Sequence, residues 1–190
     1  MMNTIKGFFF DLDGTLVDTH EANFLAYCRA IELVKGVVLG DELRNSIKSG
    51  DSSFTFLSKL LPGIPMDEIT AINSKKREIY PQHLHRSKLN HYLSTFLQQM
   101  SEHYTTALVT TAKRENALAV LRQHNLEQYF SFMIFGDDVQ VMKPDPQAYI
   151  AALKKAGLTA EEVLVFEDSQ KGIEAATAAG IRTVHIRNFL

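Results

Sequence analysis

The sequence predicts an α/β fold in which helices cover both faces of a parallel sheet, with a helical segment inserted after the first strand. Three observations lead to this prediction. Short apolar runs recur along the chain and end at polar clusters, as buried strands do. Segments with helical periodicity lie between the later runs. Residues 17–88 interrupt this alternation with segments that all have helical character.

The first strand is predicted at residues 5–10, an apolar run that stops at Asp11 and leads into a polar turn containing Gly14. Four further runs have the same character, at residues 107–110, 132–135, 163–166 and 183–186. Each of these is short enough to be a buried strand rather than a helix. The sequence therefore predicts a sheet of five strands.

Helices are predicted between the later strands, at residues 116–124, 145–157 and 170–179. The second of them has an N-cap at Asp145, a first-turn proline at Pro146 and a glycine stop at Gly157. Because strands alternate with helices, we expect the strands to be parallel and the sheet to be covered on both faces.

Residues 17–88 are predicted to form the helical insert. Four helices are expected there, at residues 21–34, 41–47, 53–61 and 67–79. The breaks between them fall at Gly36, at Gly50 and at a Pro-Gly-Ile-Pro run. The sheet-containing part is then formed by residues 1–16 and 89–190.

Composition and charge favour a globular protein and argue against nucleic acid or a membrane as its partner. The 190 residues are 45% hydrophobic and 22% charged, which suits one ordinary domain with a small second lobe. Twenty basic and twenty-two acidic residues give a formal net charge of −2, so we expect neither nucleic acid nor a membrane as a partner. Because Cys28 is the single cysteine and no secretory or membrane segment is evident, we expect a cytoplasmic protein.

Polar side chains stand where several of the predicted strands end. They are Asp11 and Asp13, Thr110 and Thr111, Lys143, and Glu167 and Asp168. Because the carboxyl ends of parallel strands meet at one edge of the sheet, we expect these groups to form one site. Carboxylates without cysteine or repeated histidine suit Mg²⁺, which binds through carboxylates, substrate oxygens and water. A phosphate group is the ligand that this set fits best.

The chemistry of phosphate explains why such a set is needed. A carboxylate that attacks a phosphate dianion meets a repulsion of roughly 4 kcal/mol per charge pair at about 4 Å, with an effective dielectric constant of about 20. Mg²⁺ shared by a carboxylate and a phosphoryl oxygen, with a lysine and a hydroxyl on the other oxygens, cancels that repulsion. A second carboxylic acid two residues away can protonate the leaving oxygen and later deprotonate the attacking water.

Four segments, in order, resemble the four motifs of the haloacid dehalogenase-like (HAD) hydrolases. They are Asp-Leu-Asp-Gly-Thr-Leu-Val-Asp-Thr at 11–19, Val-Thr at 109–110, Lys-Pro-Asp-Pro at 143–146, and Phe-Glu-Asp-Ser at 166–169 followed by Gly-Ile at 172–173. The resemblance covers nearly the whole chain, and the insert is similar to the cap of the phosphoglycolate phosphatase and β-phosphoglucomutase-like branch. It implies a Rossmann-like three-layer catalytic core at residues 1–16 and 89–190, with residues 17–88 as a small α-helical cap.

The resemblance also implies a role for individual residues. Asp11 would be the nucleophile that forms an aspartyl-phosphate, and Asp13 would be the general acid and base. Thr110, Thr111 and Lys143 would bind the phosphoryl group of the substrate. These roles define a phosphoric monoester hydrolase.

A Mg²⁺ site is implied beside these groups. Its ligands would be Asp11, the backbone carbonyl of Asp13, and Asp168, with Glu167 either as a further ligand or as a neighbour of the metal. The expected protein is a Mg²⁺-dependent phosphatase that acts on a small phosphorylated metabolite of the sugar phosphate or phosphoglycolate type. We expect it to be a monomer or a weak homodimer.

Two other enzyme activities share parts of this pattern. A haloacid dehalogenase would use the nucleophile without Mg²⁺ and without a second acid, so the presence of Asp13 argues against it. A phosphomutase of the β-phosphoglucomutase type would carry a histidine where Asn23 stands. It would also carry an arginine just after a cap glycine, where Ser52 and Ser53 stand near Gly50. These departures favour hydrolysis over transfer.

A third alternative is a non-catalytic regulator that keeps the fold for contacts with other proteins. Such a protein would be expected to have lost at least one of the four central residues. All four are present, namely Asp11, Asp13, Lys143 and Asp168. The sequence therefore favours an enzyme.

Overall fold

The computed structural model describes residues 4–48 and 52–187 of the chain. These residues divide into two compact units. The first contains the described residues up to Asp18 together with those from Lys88 onward, and the second is Thr19–Ser87. The predicted helix break at Gly50 lies outside the described residues.

The described part of the first unit contains seven strands: β1 (Gly7–Phe10), β2 (Val17–Asp18), β3 (Lys88–Leu89), β4 (Thr105–Val109), β5 (Phe132–Ile134), β6 (Val163–Glu167) and β7 (Arg182–His185). Five of them form one parallel sheet in the order β5-β4-β1-β6-β7. The strands β2 and β3 form a separate antiparallel pair. The central strand β1 is buried along its whole length, as its unbroken apolar run requires.

Eight α-helices are present in the described residues. The second unit contains α1 (His20–Lys35), α2 (Asp41–Lys48), α3 (Ser53–Leu60) and α4 (Met66–His83). The first unit contains α5 (His91–Ser101), α6 (Arg114–Gln123), α7 (Gln147–Ala156) and α8 (Gln170–Ala178). Short 3-10 helices lie at Leu84–Arg86, Glu127–Tyr129, Gly136–Asp138 and Ala160–Glu162. No helix in the described part of the chain combines the length and the apolar character that a membrane-spanning segment needs.

The large sheet is covered by helices on both faces. Successive side chains of a strand point to opposite faces, so neighbouring residues of β1 pack against different helices. Phe9 of β1 belongs to an apolar cluster that includes Tyr149 of α7 and Ala175 of α8. Phe8, one residue earlier, meets the ring of Phe96 in α5 edge to face, with 5.2 Å between the ring centroids. The predicted α/β fold, with a parallel sheet between layers of helices, is confirmed.

The second unit is helical, as predicted for the insert after the first strand. The helix α1 packs along α4 and buries a row of small residues, Ala22, Ala26 and Ala30. Alanines at this spacing lie on one face and allow the two helices to approach closely. From α4, Ile69 and Ile72 are buried in the same unit. Its four helices correspond to the four predicted segments.

Two features of the first unit were not predicted. The strands β2 and β3 have two residues each, which is too short for any alternation to appear, and their pairing keeps Asp18 and Lys88 in the first unit. The helix α5 was missed although the sequence carries a start signal for it. The side chain of Asn90 accepts a hydrogen bond from the backbone N–H of Leu93 at 3.1 Å, as an N-cap does.

Candidate active site

Three neighbouring strands bring predicted site residues to one edge of the sheet. The strand β1 pairs in parallel with β4 on one side and with β6 on the other. Asp11 directly follows β1, Thr110 follows β4 and Asp168 follows β6. The backbone N–H of Asp11 donates to the carbonyl oxygen of Phe166 at 3.0 Å, so the backbone pairing continues to the first site residue. These side chains share the carboxyl edge of the sheet, where ligands of parallel α/β folds bind.

Lys143 reaches this edge from the loop between β5 and α7. Its ammonium donates to Asp11 Oδ1 at 2.7 Å, to the carbonyl oxygen of Val109 at 2.8 Å and to Glu167 Oε1 at 2.5 Å. An ammonium has three N–H donors, and these three acceptors account for them. The side chains of Lys143 and Glu167 are only 3% and 0% exposed. Charged hydrogen bonds shielded in this way are stronger than those at a surface.

Burial and neighbouring charges set the protonation of this group. Burial raises the pKa of the Asp11 carboxyl well above its usual range, and the charge of Glu167 raises it further, while Lys143 opposes both effects. Burial disfavours the ammonium of Lys143, but the attraction of Asp11 and of the other acidic groups around it outweighs burial and holds the pKa of Lys143 well above its usual range. Lys143 is therefore a fixed positive charge, whereas the charge on Asp11 depends on what binds beside it.

Glu167 is surrounded by hydrogen-bond donors of the protein. Its Oε1 accepts from Lys143 and also from the hydroxyl of Tyr149 at 3.1 Å. Its Oε2 accepts from the backbone N–H and the hydroxyl of Ser169 at 3.3 and 3.1 Å. Gly172 leaves room for this carboxylate, because a Cβ at that position would lie 1.9 Å from Glu167 Oε1. The negative charge thus lies at the N-terminus of α8, where the helix dipole favours it.

Asp168 is held by the turn that follows β1. The hydroxyl of Thr15 donates to Asp168 Oδ1 at 3.0 Å. Gly14 has a φ of +90°, and a Cβ there would lie 2.2 Å from Asp168 Oδ2. Glycine alone is compatible with both the backbone conformation and this close approach. The turn and the end of β6 therefore fit together through residues that are distant in sequence.

Asp11, Glu167 and Asp168 form a cluster that could hold a metal ion. One carboxylate oxygen from each residue lies within 4.8 Å of the others. When Asp11 is ionised, three carboxylates stand against the single positive charge of Lys143, which leaves an excess of negative charge at a largely buried place. Carboxylate oxygens with this excess charge suit a hard divalent cation such as Mg²⁺. The residues present therefore fit the cation that the sequence predicts.

The other predicted site residues have different surroundings. Thr110 is buried, and its hydroxyl oxygen accepts from the backbone N–H of Ala112 at 3.0 Å, a role that still allows a hydroxyl to donate its hydrogen. Thr111 is exposed. Asp13 is half-buried in the turn after β1, and the carboxylate cluster found among the described residues does not include it. The phosphate-binding, acid–base and carbonyl-ligand roles of these residues stay predictions.

Some residues that shape the site had no role in the sequence-based prediction. Tyr149 lies in the helix predicted at residues 145–157, and no sequence pattern distinguishes a tyrosine that only packs there from one that binds Glu167. A buried tyrosine nevertheless usually finds a partner for its hydroxyl, which is the signal that was available. Thr15 and Ser169 lie inside the first and fourth motifs, and their hydrogen bonds to the two carboxylates explain their place there.

The fold and the site agree with a single protein family. The family model described as haloacid dehalogenase-like hydrolase matches residues 8–186. The chain therefore belongs to the haloacid dehalogenase-like hydrolases. The resemblance found in the sequence and the prediction of an enzyme of this class are confirmed.

Curated relatives align over most of the chain. A phosphorylated carbohydrates phosphatase of Thermotoga maritima is 32% identical over 181 residues, which cover 93% of this chain and 82% of the relative. A phosphoglycolate phosphatase of Pectobacterium atrosepticum is 32% identical over 190 residues, with 96% and 80% covered. A pyrophosphatase PpaX of Bacillus pumilus is 29% identical over 186 residues, with 97% and 84% covered.

Solved structures share the fold. CbbY from Rhodobacter sphaeroides, in complex with phosphate, is similar with a TM-score of 0.84 and 22% identity, covering 98% of this chain and 88% of that one. A HAD-superfamily hydrolase of subfamily IA from Geobacter sulfurreducens has a TM-score of 0.78 and 24% identity, with 98% and 89% covered. At these identities the likeness concerns the fold.

Proposed function

We propose that this protein is a Mg²⁺-dependent phosphatase that hydrolyses a small phosphorylated metabolite through an aspartyl-phosphate on Asp11. One observation carries the proposal. The buried ammonium of Lys143 touches Asp11 at 2.7 Å, at the place where three carboxylates converge. A fixed positive charge beside a carboxylate in a metal-binding cluster is the arrangement that allows an anionic nucleophile to approach an anionic substrate.

In the first step, an oxygen of Asp11 attacks the phosphorus atom and the bond from phosphorus to the leaving oxygen breaks. Asp13 gives its proton to that oxygen, so the oxygen leaves as a neutral hydroxyl group of the metabolite. Lys143 and Thr110 donate hydrogen bonds to the non-bridging phosphoryl oxygens, whose charge has to be balanced while the nucleophile approaches.

In the second step, Asp13 takes a proton from a water molecule, which attacks the phosphorus atom of the aspartyl-phosphate. The bond between phosphorus and Asp11 breaks, so inorganic phosphate leaves and the Asp11 carboxylate is restored. Asp13 then carries the proton needed for the next cycle. Because Lys143 keeps its charge in both steps, it balances the phosphoryl charge throughout.

We propose that Mg²⁺ is held by Asp11, Asp168 and the backbone carbonyl of Asp13. When bound, Mg²⁺ supplies positive charge that screens the phosphoryl oxygens and favours the ionised form of Asp11. Glu167 is assigned a different role, because its two oxygens already accept four hydrogen bonds from Lys143, Tyr149 and Ser169. It fixes the position of Lys143.

The substrate class is inferred from the relatives. The names of two of them refer to phosphorylated carbohydrates and phosphoglycolate, which are small phosphate monoesters. We assign the choice among such substrates to the helical unit Thr19–Ser87 as a cap, since the core residues bind the phosphoryl group that all of them share. Excision of residues 20–85 with a short Gly/Ser bridge should leave slow hydrolysis of an aryl phosphate and abolish the ranking of natural substrates.

Phosphate release is the measurement that tests the activity. Purified protein is incubated with a panel of sugar phosphates, phosphoglycolate, nucleotides and pyridoxal phosphate, with Mg²⁺ and with EDTA. Mg²⁺-dependent release of inorganic phosphate from at least one of them supports the proposal. Conversion of a sugar phosphate into its isomer without phosphate release would support a phosphomutase, and no reaction with any compound would support the regulator.

A further inference from the structure

The loop that carries Lys143 changes abruptly from exposed to buried. Gln140, Val141 and Met142 are exposed, whereas the side chain of Lys143 is 3% exposed. Val139, just before them, packs against the core cluster, but the exposed residues from Gln140 to Met142 have few apolar contacts, so hydrogen bonds hold their position. The place of the Lys143 backbone therefore depends on what binds the residues just before it.

One side chain binds two consecutive peptide groups of this loop. The side-chain carbonyl oxygen of Gln147 accepts hydrogen bonds from the backbone N–H of Gln140 and of Val141, both at 2.8 Å. Because a backbone N–H can only donate, the amide of Gln147 must present its oxygen and not its nitrogen here. A single oxygen atom thus binds the chain at the third and second residues before Lys143, while the carbonyl oxygen of Met142, the residue between, accepts from the backbone N–H of Asp145 at 3.1 Å.

Gln147 is itself attached to the core. It is the first residue of α7, and its own N–H donates to Asp145 Oδ1 at 2.9 Å. The two residues that follow, Ala148 and Tyr149, are buried against the sheet. The start of α7 is therefore packed against the sheet, and the side chain of Gln147 connects the exposed loop to this helix.

We propose that Gln147 is a positioning residue, which places Lys143 for its contact with the phosphoryl group. This inference rests on the phosphate-binding role proposed above for Lys143. All three N–H donors of Lys143 point at protein acceptors, so a phosphoryl oxygen has to replace one of them. A loop fixed by Gln147 keeps the ammonium in place during that exchange, and a displacement of about 1 Å in such a group can cost roughly a hundredfold in rate.

Two variants at position 147 test this role, and they differ in whether the side chain keeps an acceptor oxygen. Gln147→Ala removes the acceptor, and Gln147→Glu keeps an acceptor oxygen at the same reach. Gln170→Ala is the matched control, because Gln170 is the first residue of α8 and its amide binds Glu174, at 2.9 Å on the exposed face of that helix. Thermal unfolding of each variant identifies any general loss of structure.

Two measurements report on the order of the loop and the accessibility of Lys143 without using enzymatic activity. Hydrogen exchange of the Gln140 and Val141 amides should become at least about tenfold faster in Gln147→Ala and stay slow in the other two variants. Labelling of Lys143 by trinitrobenzenesulfonate, followed by mass spectrometry, should also accelerate in Gln147→Ala alone. Unchanged labelling of Lys143 in that variant would overturn the proposal whatever the activity.

Steady-state kinetics then test the consequence for turnover. We expect kcat of phosphate release to fall about tenfold or more in Gln147→Ala, and to recover in Gln147→Glu. A kcat equal to that of the unmodified protein, together with faster labelling, would also overturn the proposal. A protein that releases no phosphate before any substitution contradicts the proposed function instead, and in that case the labelling result alone decides the positioning role.

Discussion

The ammonium of Lys143 lies 2.7 Å from Oδ1 of Asp11, although 132 positions of sequence separate the two residues. Asp11 directly follows the central strand β1, and Lys143 belongs to the loop before α7. Their contact links two elements that are distant in the sequence. The candidate site is therefore complete only when the sheet and the helix α7 are packed together.

Asp11→Asn should abolish phosphate release while the protein stays folded, because an amide cannot attack phosphorus and contributes no charge to the cation site. We expect kcat below about a hundredth of the unmodified value, since loss of an essential nucleophile costs several orders of magnitude. Asp67→Asn, on the exposed first turn of α4, is the control and should leave kcat unchanged. Residual activity above that limit in Asp11→Asn would assign the nucleophile to another group.

Asp168→Ala should weaken Mg²⁺ binding by at least about tenfold, because a carboxylate ligand of a hard cation is lost. The free energy of unfolding without Mg²⁺ should change by less than about 1 kcal/mol, since the lost hydrogen bond from Thr15 is offset by reduced repulsion of Asp11. Calorimetric titration with Mg²⁺ and thermal unfolding measure the two effects. Equal Mg²⁺ affinity in the variant and in the unmodified protein would remove Asp168 from the ligand set.

Gly14→Ala and Gly63→Ala separate backbone strain from a collision with Asp168. Both glycines have a positive φ, of +90° and +78°, so each alanine should cost roughly 1 to 3 kcal/mol of stability. At Gly14 the new Cβ would also lie 2.2 Å from Asp168 Oδ2, whereas nothing lies within 4 Å of a Cβ at Gly63. We therefore expect weaker Mg²⁺ binding in Gly14→Ala alone, and a similar loss in Gly63→Ala would contradict this explanation.

Tyr149→Phe removes one donor from Glu167 and keeps the packing of the ring. The hydrogen bond to a charged, buried acceptor suggests a loss of about 1.5 kcal/mol, which corresponds to a fall of roughly 3 to 6 °C in Tm for a domain of this size. We also expect kcat to fall several-fold, because Glu167 would hold Lys143 less firmly. Tyr92→Phe, at a tyrosine that is 77% exposed, is the control and should change neither quantity.

Much of the fold could be predicted because its information is local. Short apolar runs can be recognised in the sequence alone. Those that lead to Asp11, Thr110 and Asp168 each form a strand of the parallel sheet. The helical insert could likewise be predicted from its hydrophobic periodicity. The strands β2 and β3 could not be predicted, because two residues are too few to show a periodic pattern. These strands form only when two segments that are distant in the sequence pair with each other.

From the sequence alone we identified the charged groups that meet at the site: Asp11, Lys143, Glu167 and Asp168 were predicted from their types and from their places after or near apolar runs. The roles predicted for Asp13, Thr110 and Thr111 stay predictions. How the charged groups are connected follows from the folded structure. That Lys143 bridges Asp11 and Glu167, that Tyr149 supports Glu167, and that Gln147 fixes the loop before Lys143 depend on contacts between side chains of different elements. Such contacts have no period along the chain, because they arise from the packing of whole helices and strands, and packing is a property of the folded molecule.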